Sequence, residues 1–306
     1  MIILIKSLYA IGISLFLSIS GYYKKSLSLS GAVVGFIVGY FHAISSYTVT
    51  AALLTFFIFG SLITNFGKKM KETIEDEYKQ GGQRTWIQVF SNSCCSTLAC
   101  ILYISEIGIQ LYDIPINYQM NPIGSGCLIA AISSLAASCG DTFSSEIGSV
   151  FSFSEPRLIL GFKQVPRGTN GAISIVGSFA SGIGGFLVGI SSFVCICFTC
   201  NYFDFHDAPS QWPIIIVCIL AGFIGSFVDS LMGCLFQFSG INLKTGKSVN
   251  SPGINVKHIS GYDILDNHNV NLISSTVTGI MMAFAAFYLW PILLNVYSSL
   301  NLLIFF

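Results

Sequence analysis

PIIIVCILAGFIGSFVDSLMGCLFQF, residues 213–238, decides the fold. About 20 consecutive apolar residues span a bilayer core as a helix, and this stretch of 26 carries a single charge, Asp229. Working outward, comparable runs stand near 1–20, 27–45, 48–64, 88–111, 122–142, 170–199 and 270–294. The expected fold is therefore all-α: a polytopic integral membrane bundle of about eight transmembrane helices, one transmembrane domain over 1–306. The last run ends at Trp290-Pro291 and is followed by an apolar tail, Leu300 to Phe306.

Composition agrees. The 306 residues are 53% hydrophobic and 9% charged, with a mean hydropathy of +0.74. Soluble domains carry roughly 25% charged residues, so a soluble enzyme, a disordered chain and a nucleic-acid binder are excluded. Fourteen basic and 14 acidic residues cancel, and bulk charge points to no polyanionic partner. The ten cysteines fall mostly in apolar runs without paired CxxC or histidine spacing, so the densest group, Cys195-Ile-Cys197-Phe-Thr-Cys200, reads as small lipid-phase side chains rather than a zinc site.

The basic residues are confined to alternate loops. Lys24 and Lys25 lie in 21–26; Lys68, Lys69, Lys71, Lys79 and Arg84 in 65–87; Arg157, Lys163 and Arg167 in 153–169; Lys244, Lys247 and Lys257 in 240–269. The intervening loops hold Asp113, Asp204 and Asp207 but no basic residue, and Lys6 is the lone exception. The positive-inside rule places 65–87, 153–169 and 240–269, with 21–26, in the cytoplasm and both termini outside. Ser18-Ile-Ser20 before Gly21 resembles a cleavage site, yet Lys24 and Lys25 directly after the first run favour an uncleaved anchor. The run 68–84 reads chiefly as a solvated loop, with Lys71 and Glu75 at i,i+4 on a short helix ending at Gly81-Gly82, and Gln80 to Trp86 as an interfacial lid.

Three acids, Asp141, Glu146 and Asp229, stand within or at the edge of spans with no basic neighbour in their own helix. A carboxylate at a helix centre costs about 2.5–3.5 kcal/mol on insertion scales, so such groups face a cavity, a cation or one another. Gly140 invites a break in the helix; if it continues, Asp141, Thr142, Ser145 and Glu146 share an arc of about 140°. Hard oxygen ligands beside basic side chains suit Mg²⁺ carrying a nucleotide or phosphate. Asp141, Glu146 and Asp229 are thus the candidate metal ligands and catalytic acids. Arg157, Lys163, Arg167, Thr169, Asn170, Asp266, Asn267 and Asn271 gather at the same rim as candidate phosphate- and nucleotide-binding groups. Gly168-Thr-Asn-Gly171 is not a Walker A sequence, though free N–H groups at a helix start attract anions. His268 reads as a solvated loop histidine. Gly225/Asp229/Gly233, Gly177/Ser181/Gly185/Gly189 and Gly31/Gly35/Gly39 are i,i+4 ridges that read as packing seams.

Several motifs run in order along the chain: Glu77-Tyr78-Lys79-x-Gly81-Gly82-Gln83-Arg84, Gly140-Asp141-Thr142 with Ser145-Glu146-Ile147-Gly148, and Pro156-Arg157-Leu158-Ile159. Val165-Pro166-x-Gly168-Thr169-Asn170-Gly171, Gly225-Ser226-x-Val228-Asp229-Ser230, Val249-Asn250-Ser251-Pro252 and Ile264-Leu265-Asp266-Asn267 with Val270-Asn271-Leu272 follow. Together they resemble the transmembrane protein 19 family over nearly the whole length. That family is grouped with phytyl-phosphate kinases and is distantly similar to CTP-using phytol and dolichol kinases. The resemblance implies CTP- and Mg²⁺-dependent phosphorylation of an isoprenoid or related lipid monophosphate, with a membrane lipid and a nucleotide as partners. By analogy it also implies an endomembrane location such as the endoplasmic reticulum. Ala172 and Ser144 depart from glycine and alanine frequent in the group. The alternatives are a transporter or lipid carrier using the intramembrane carboxylates, and a non-catalytic membrane protein.

Overall fold

The computed structural model describes residues 1–74, 83–151 and 155–299, with the backbone alone at 67–73, 202 and 299. Among the described residues eight long apolar helices form the bundle: α1 (Ile2–Tyr23), α2 (Leu29–Ser45), α3 (Tyr47–Ile74), α4 (Trp86–Ile107), α5 (Pro122–Phe151), α6 (Ile175–Thr199), α8 (Pro213–Phe236) and α9 (Asn267–Ser299). Seven are long and apolar enough to cross a membrane, and α2, with 17 residues, is shorter. A short α7 (Tyr202–His206) lies between α6 and α8. The helix count expected from hydropathy stands.

Helix α5 is the axis. It packs against α3, α4, α6, α8 and α9, and Ile129, Ile132, Leu135 and Ala136 are fully enclosed in the main core. Its 30 residues reach about 45 Å, well beyond a hydrocarbon core of about 30 Å, an excess that tilt or protruding end turns take up. The break allowed at Gly140 does not occur; the helix runs through it. Gly140 serves contact instead. A Cβ there would stand 2.6 Å from the Gly222 Cα of α8 and 2.8 Å from the Ser181 carbonyl of α6. At Gly185 and Gly222 a Cβ would meet the carbonyls of Cys218 and Ser181. The small-residue ridges of α6 and α8 are packing seams, as lipid-phase association by close backbone approach requires.

The loops segregate to two ends. At one, Arg84 and Ser26–Ser28 pair through Arg84 N–H to Ser26 O (3.0 Å) and Ser28 N–H to Arg84 O (3.1 Å). At that end also, Ser248 Oγ donates to Ile74 O (3.2 Å) and Asn170 Nδ2 donates to Phe238 O (3.1 Å). All four basic loops therefore meet at one end. At the other, Asp113 joins Tyr47, Thr48 and Thr199, and Gln211 joins Ile116. Alternation of basic and non-basic loops thus has a physical counterpart in the bundle.

Two basic-end loops carry strands that an all-α reading omits. Strands β1 (Arg157–Leu158) and β2 (Ala172–Ile173) pair antiparallel. Strands β3 (Ser239–Asn242), β4 (Ser248–Val249) and β5 (Val256–Ser260) form an antiparallel sheet of order β4-β3-β5. Leu158, Ile159 and Val165 pack on Cys234 and Leu231 of α8 and Ile259 of β5, making these pieces a cap on the end of α8. Residues 65–74 continue α3 instead of forming a loop, and Pro291 lies inside α9, which runs on to Ser299. The expectations on Glu75 to Gly82, including the Glu77–Gly82 motif and the helix end, and on the tail from Leu300, lie outside the described residues.

Candidate functional site

The polar centre of the bundle is built around Asp229. Ser274 Oγ of α9 donates to its Oδ2 at 3.3 Å. The Asn271 amide nitrogen, assigned from its hydrogen-bond surroundings because amide O and N are otherwise interchangeable, donates to the same oxygen and to Asn267 O, both at 3.1 Å. The Asn92 side chain of α4 stands beside Asn271 without a hydrogen bond to it in this orientation, and Ser138 Oγ of α5 donates to Asn92 O at 3.2 Å. Four helices thus contribute to one polar cluster near the basic end. Gly225 makes it possible: a Cβ there would run into Ala137 of α5. One turn beyond that contact each helix carries an acid, Asp141 on α5 and Asp229 on α8.

The third acid lies near Arg84. Glu146 is 7% exposed and bears electrostatically on Arg84. Among the described residues no three His, Cys, Asp or Glu side chains gather to hold a metal ion, so Asp141, Glu146 and Asp229 do not form one three-carboxylate cage.

Arg84 is the residue that the solvated-loop reading underrates. Its guanidinium lies inside the bundle, 5.3 Å from the ring centroid of Phe56 and 5.7 Å from that of Phe57 on α3, a cation–π arrangement. The Glu146 carboxylate is the acidic charge that bears on it. A sequence signal was available: Thr85-x-x-Gln88 is a capping box, and Gln88 Oε1 accepts from the Thr85 N–H at 2.9 Å. That pattern fixes the start of α4 immediately after Arg84 and so ties the arginine to the bundle.

The predicted phosphate ligands divide into two kinds. Arg157 and Lys163 share one exposed hairpin: Leu158 N–H donates to Lys163 O at 2.9 Å and Arg157 Nη1 to Phe162 O at 3.2 Å. Arg167 Nη1 donates to Ser149 O in the last turn of α5 at 3.3 Å, where a cation suits the helix C-terminus. Thr169, Asn170 and Asp266 hold backbone. Thr169 Oγ1 donates to Pro166 O at 2.7 Å. Asn170 Nδ2 donates to Phe238 O and Asn250 Oδ1, both at 3.1 Å. Asp266 Oδ1 accepts from the Asn269 N–H at 2.8 Å, capping α9. Gly171, with φ +74°, lies so near Cys234 that any Cβ would collide with it. Ala172 next to it sits in β2. Asn267 opens α9 and supplies the carbonyl that Asn271 uses.

Comparison with known proteins places this geometry in a wider setting. Residues 12–279 match the family model described as integral membrane protein DUF92. Protein PGR of Arabidopsis thaliana is 36% identical over 283 residues, 92% of this chain and 97% of that protein. Uncharacterized membrane protein MJ0933 of Methanocaldococcus jannaschii is 32% identical, over 83% of this chain and 81% of its own length. Protein VTE6, chloroplastic, of Arabidopsis thaliana is 27% identical, over 83% of this chain and 68% of its own. No solved structure matches.

Proposed function

The chain belongs to the integral membrane protein DUF92 family, and we propose that it is a lipid-phosphate kinase within it. The reading takes the finer resemblance, to the transmembrane protein 19 branch and the group containing phytyl-phosphate kinases, as its guide to chemistry. The substrate would be an isoprenoid or related lipid monophosphate, the donor CTP, and the location an endomembrane such as the endoplasmic reticulum. One observation carries it: a carboxylate–amide–hydroxyl cluster on α8 and α9, with Asn92 of α4 and Ser138 of α5 beside it, lies at the same end as the exposed Arg157–Lys163 hairpin and the half-buried Arg84.

In this reading an oxygen of the lipid phosphate attacks the terminal phosphorus of the nucleotide. The bridging P–O bond breaks, giving a lipid diphosphate and CDP. An ionised phosphate is its own nucleophile, so no general base is required, and catalysis is positioning and charge neutralisation. Mg²⁺ is bound by one or two carboxylates plus phosphate oxygens more often than by an all-protein cage. The donor chemistry of Asp141 and Asp229 fits that mode, whereas a three-acid cage including Glu146 does not. When bound, the ion neutralises the charge developing between the phosphates. Ser274 and Asn271 hold the Asp229 carboxylate in one orientation. Arg157 and Lys163 attract the donor phosphates. Arg167, Thr169, Asn170 and Asp266 fix the loops that present them.

The test is purified protein in lipid nanodiscs with terminally labelled CTP, Mg²⁺ and prenyl monophosphates of several chain lengths. Label is expected in a lipid diphosphate. Absence of transfer to every acceptor, from CTP and from the other nucleoside triphosphates, overturns the reading. A proton or solute flux without nucleotide, abolished by Asp229→Asn, would establish the transporter in its place.

A further inference from the structure

Between α1–α2 and α3–α4 the bundle leaves a slot that encloses about 80 Å³. Leu17 of α1, Val38 of α2, Leu53 and Phe57 of α3 and Val89 of α4 wall it with hydrocarbon. The second-helix ridge opens here. A Cβ at Gly31 would strike the Arg84 carbonyl and one at Gly39 would stand 3.1 Å from Ser14, but at Gly35 the nearest atom would be 3.6 Å away. Gly35 therefore lines the slot instead of closing a seam. The polar end of the lining is made by Arg84, Gln88 and Asn92. Arg84 brings a guanidinium, and Asn92 is the same residue whose side chain stands beside Asn271 near Asp229.

We propose that this slot holds the single apolar chain of a phosphorylated lipid, with its phosphate on Arg84 and its head separated from the Asp229 cluster only by Asn92. The proposal rests on the lipid-phosphate reading above and names where the acceptor sits. Charge and shape select the occupant. A cation at the end of an otherwise apolar slot matches an anionic head on a hydrocarbon chain, since a guanidinium binds phosphate through a fork of N–H donors. An enclosed volume this small favours one chain over the paired chains of a bulk phospholipid. Glu146 acquires a purpose as well, since a carboxylate bearing on Arg84 steadies a guanidinium withdrawn from water until the phosphate arrives.

The experiment uses the full chain in nanodiscs, without nucleotide, and a photoreactive geranylgeranyl monophosphate. Crosslinks are expected on α2 and α4 around Val38 and Val89. Gly35→Leu, whose first carbon has room and whose branches enter the slot, is expected to lower labelling at least tenfold; Val89→Phe fills the slot from the other wall should the first variant not fold. Arg84→Gln is expected to remove the preference for the phosphate over geranylgeraniol, and Arg84→Lys to restore part of it. Crosslinks mapping elsewhere, undiminished labelling in both slot-filling variants, or equal competition by a two-chain phosphatidic acid would overturn the proposal. The readout is binding alone. Labelling in the slot without phosphoryl transfer would sink the kinase reading and leave the slot standing, and transfer without labelling there would do the reverse.

Discussion

Asp113 and Asp229 are both carboxylates inside an apolar bundle, at opposite ends of it, and their surroundings differ in kind. Asp113 is 3% exposed and accepts four hydrogen bonds: from the Tyr47 and Thr48 N–H groups at 2.9 and 2.8 Å, and from the Thr48 and Thr199 hydroxyls at 2.7 and 2.9 Å. It caps α3 and ties the start of that helix to the end of α6. Beside it Lys6, fully buried in α1, sets its ammonium 3.2 Å from the Tyr47 ring centroid; Asp113 is a carboxylate that bears on its charge. Asp229 takes its two side-chain donors from one neighbouring helix and keeps some exposure. A carboxylate whose lone pairs are filled by its own protein is structural. One held in place but not saturated is available to a ligand.

That contrast can be broken in four ways. Asp229→Asn is expected to lower phosphoryl transfer about 10³-fold, the scale for removing one preorganised electrostatic group, while thermal unfolding in detergent stays within about 1 kcal/mol of the parent. Asp113→Asn is expected to do the opposite. Losing a charged cap and stranding buried donors costs about 2–3 kcal/mol of stability, with transfer per folded molecule unchanged. Ser274→Ala removes one orienting bond worth about 1 kcal/mol, so transfer falls about fivefold and the loss appears in kcat more than in KM. Lys6→Met keeps the packing and drops a buried charge, and unfolding moves by no more than about 1 kcal/mol in either direction. An activity loss at Asp113, or a stability loss at Asp229, would show that the hydrogen-bond inventory does not sort these acids.

Helices and their polarity were legible because a bilayer demands long uninterrupted apolar runs and because the basic residues avoid alternate loops. Asp229 was legible for the same reason: one charge in an apolar span has few explanations. The reach of α5 to Phe151 was not, because Ser144-Ser145-Glu146 looks like a loop until packing against α6 sustains the helix. Strands β1 to β5 run two to five residues, too short for any period to show. The approach of Glu146 to Arg84 depends on how α5 packs, which helical periodicity alone does not contain. Arg84 sat in a run of charges whose composition says solvent, while its direction is set by α3 and α4. Lys6 stood out as the one exception to the charge alternation; the exception marked a buried ammonium.

The crossing of α5, α6 and α8 at Gly140, Ser181 and Gly222 has a mechanical consequence. Backbone lies on backbone there, with no side chain between to swing or repack. Such a joint has no soft degree of freedom, so those three helices behave as a keel that carries Asp141 and Asp229 without changing their spacing. Compliance must then reside at the periphery, above all in α1, whose one extensive partner among the described elements is α2. Spectroscopic labels across the keel should report one narrow distance, and labels between α1 and α3 a broad one.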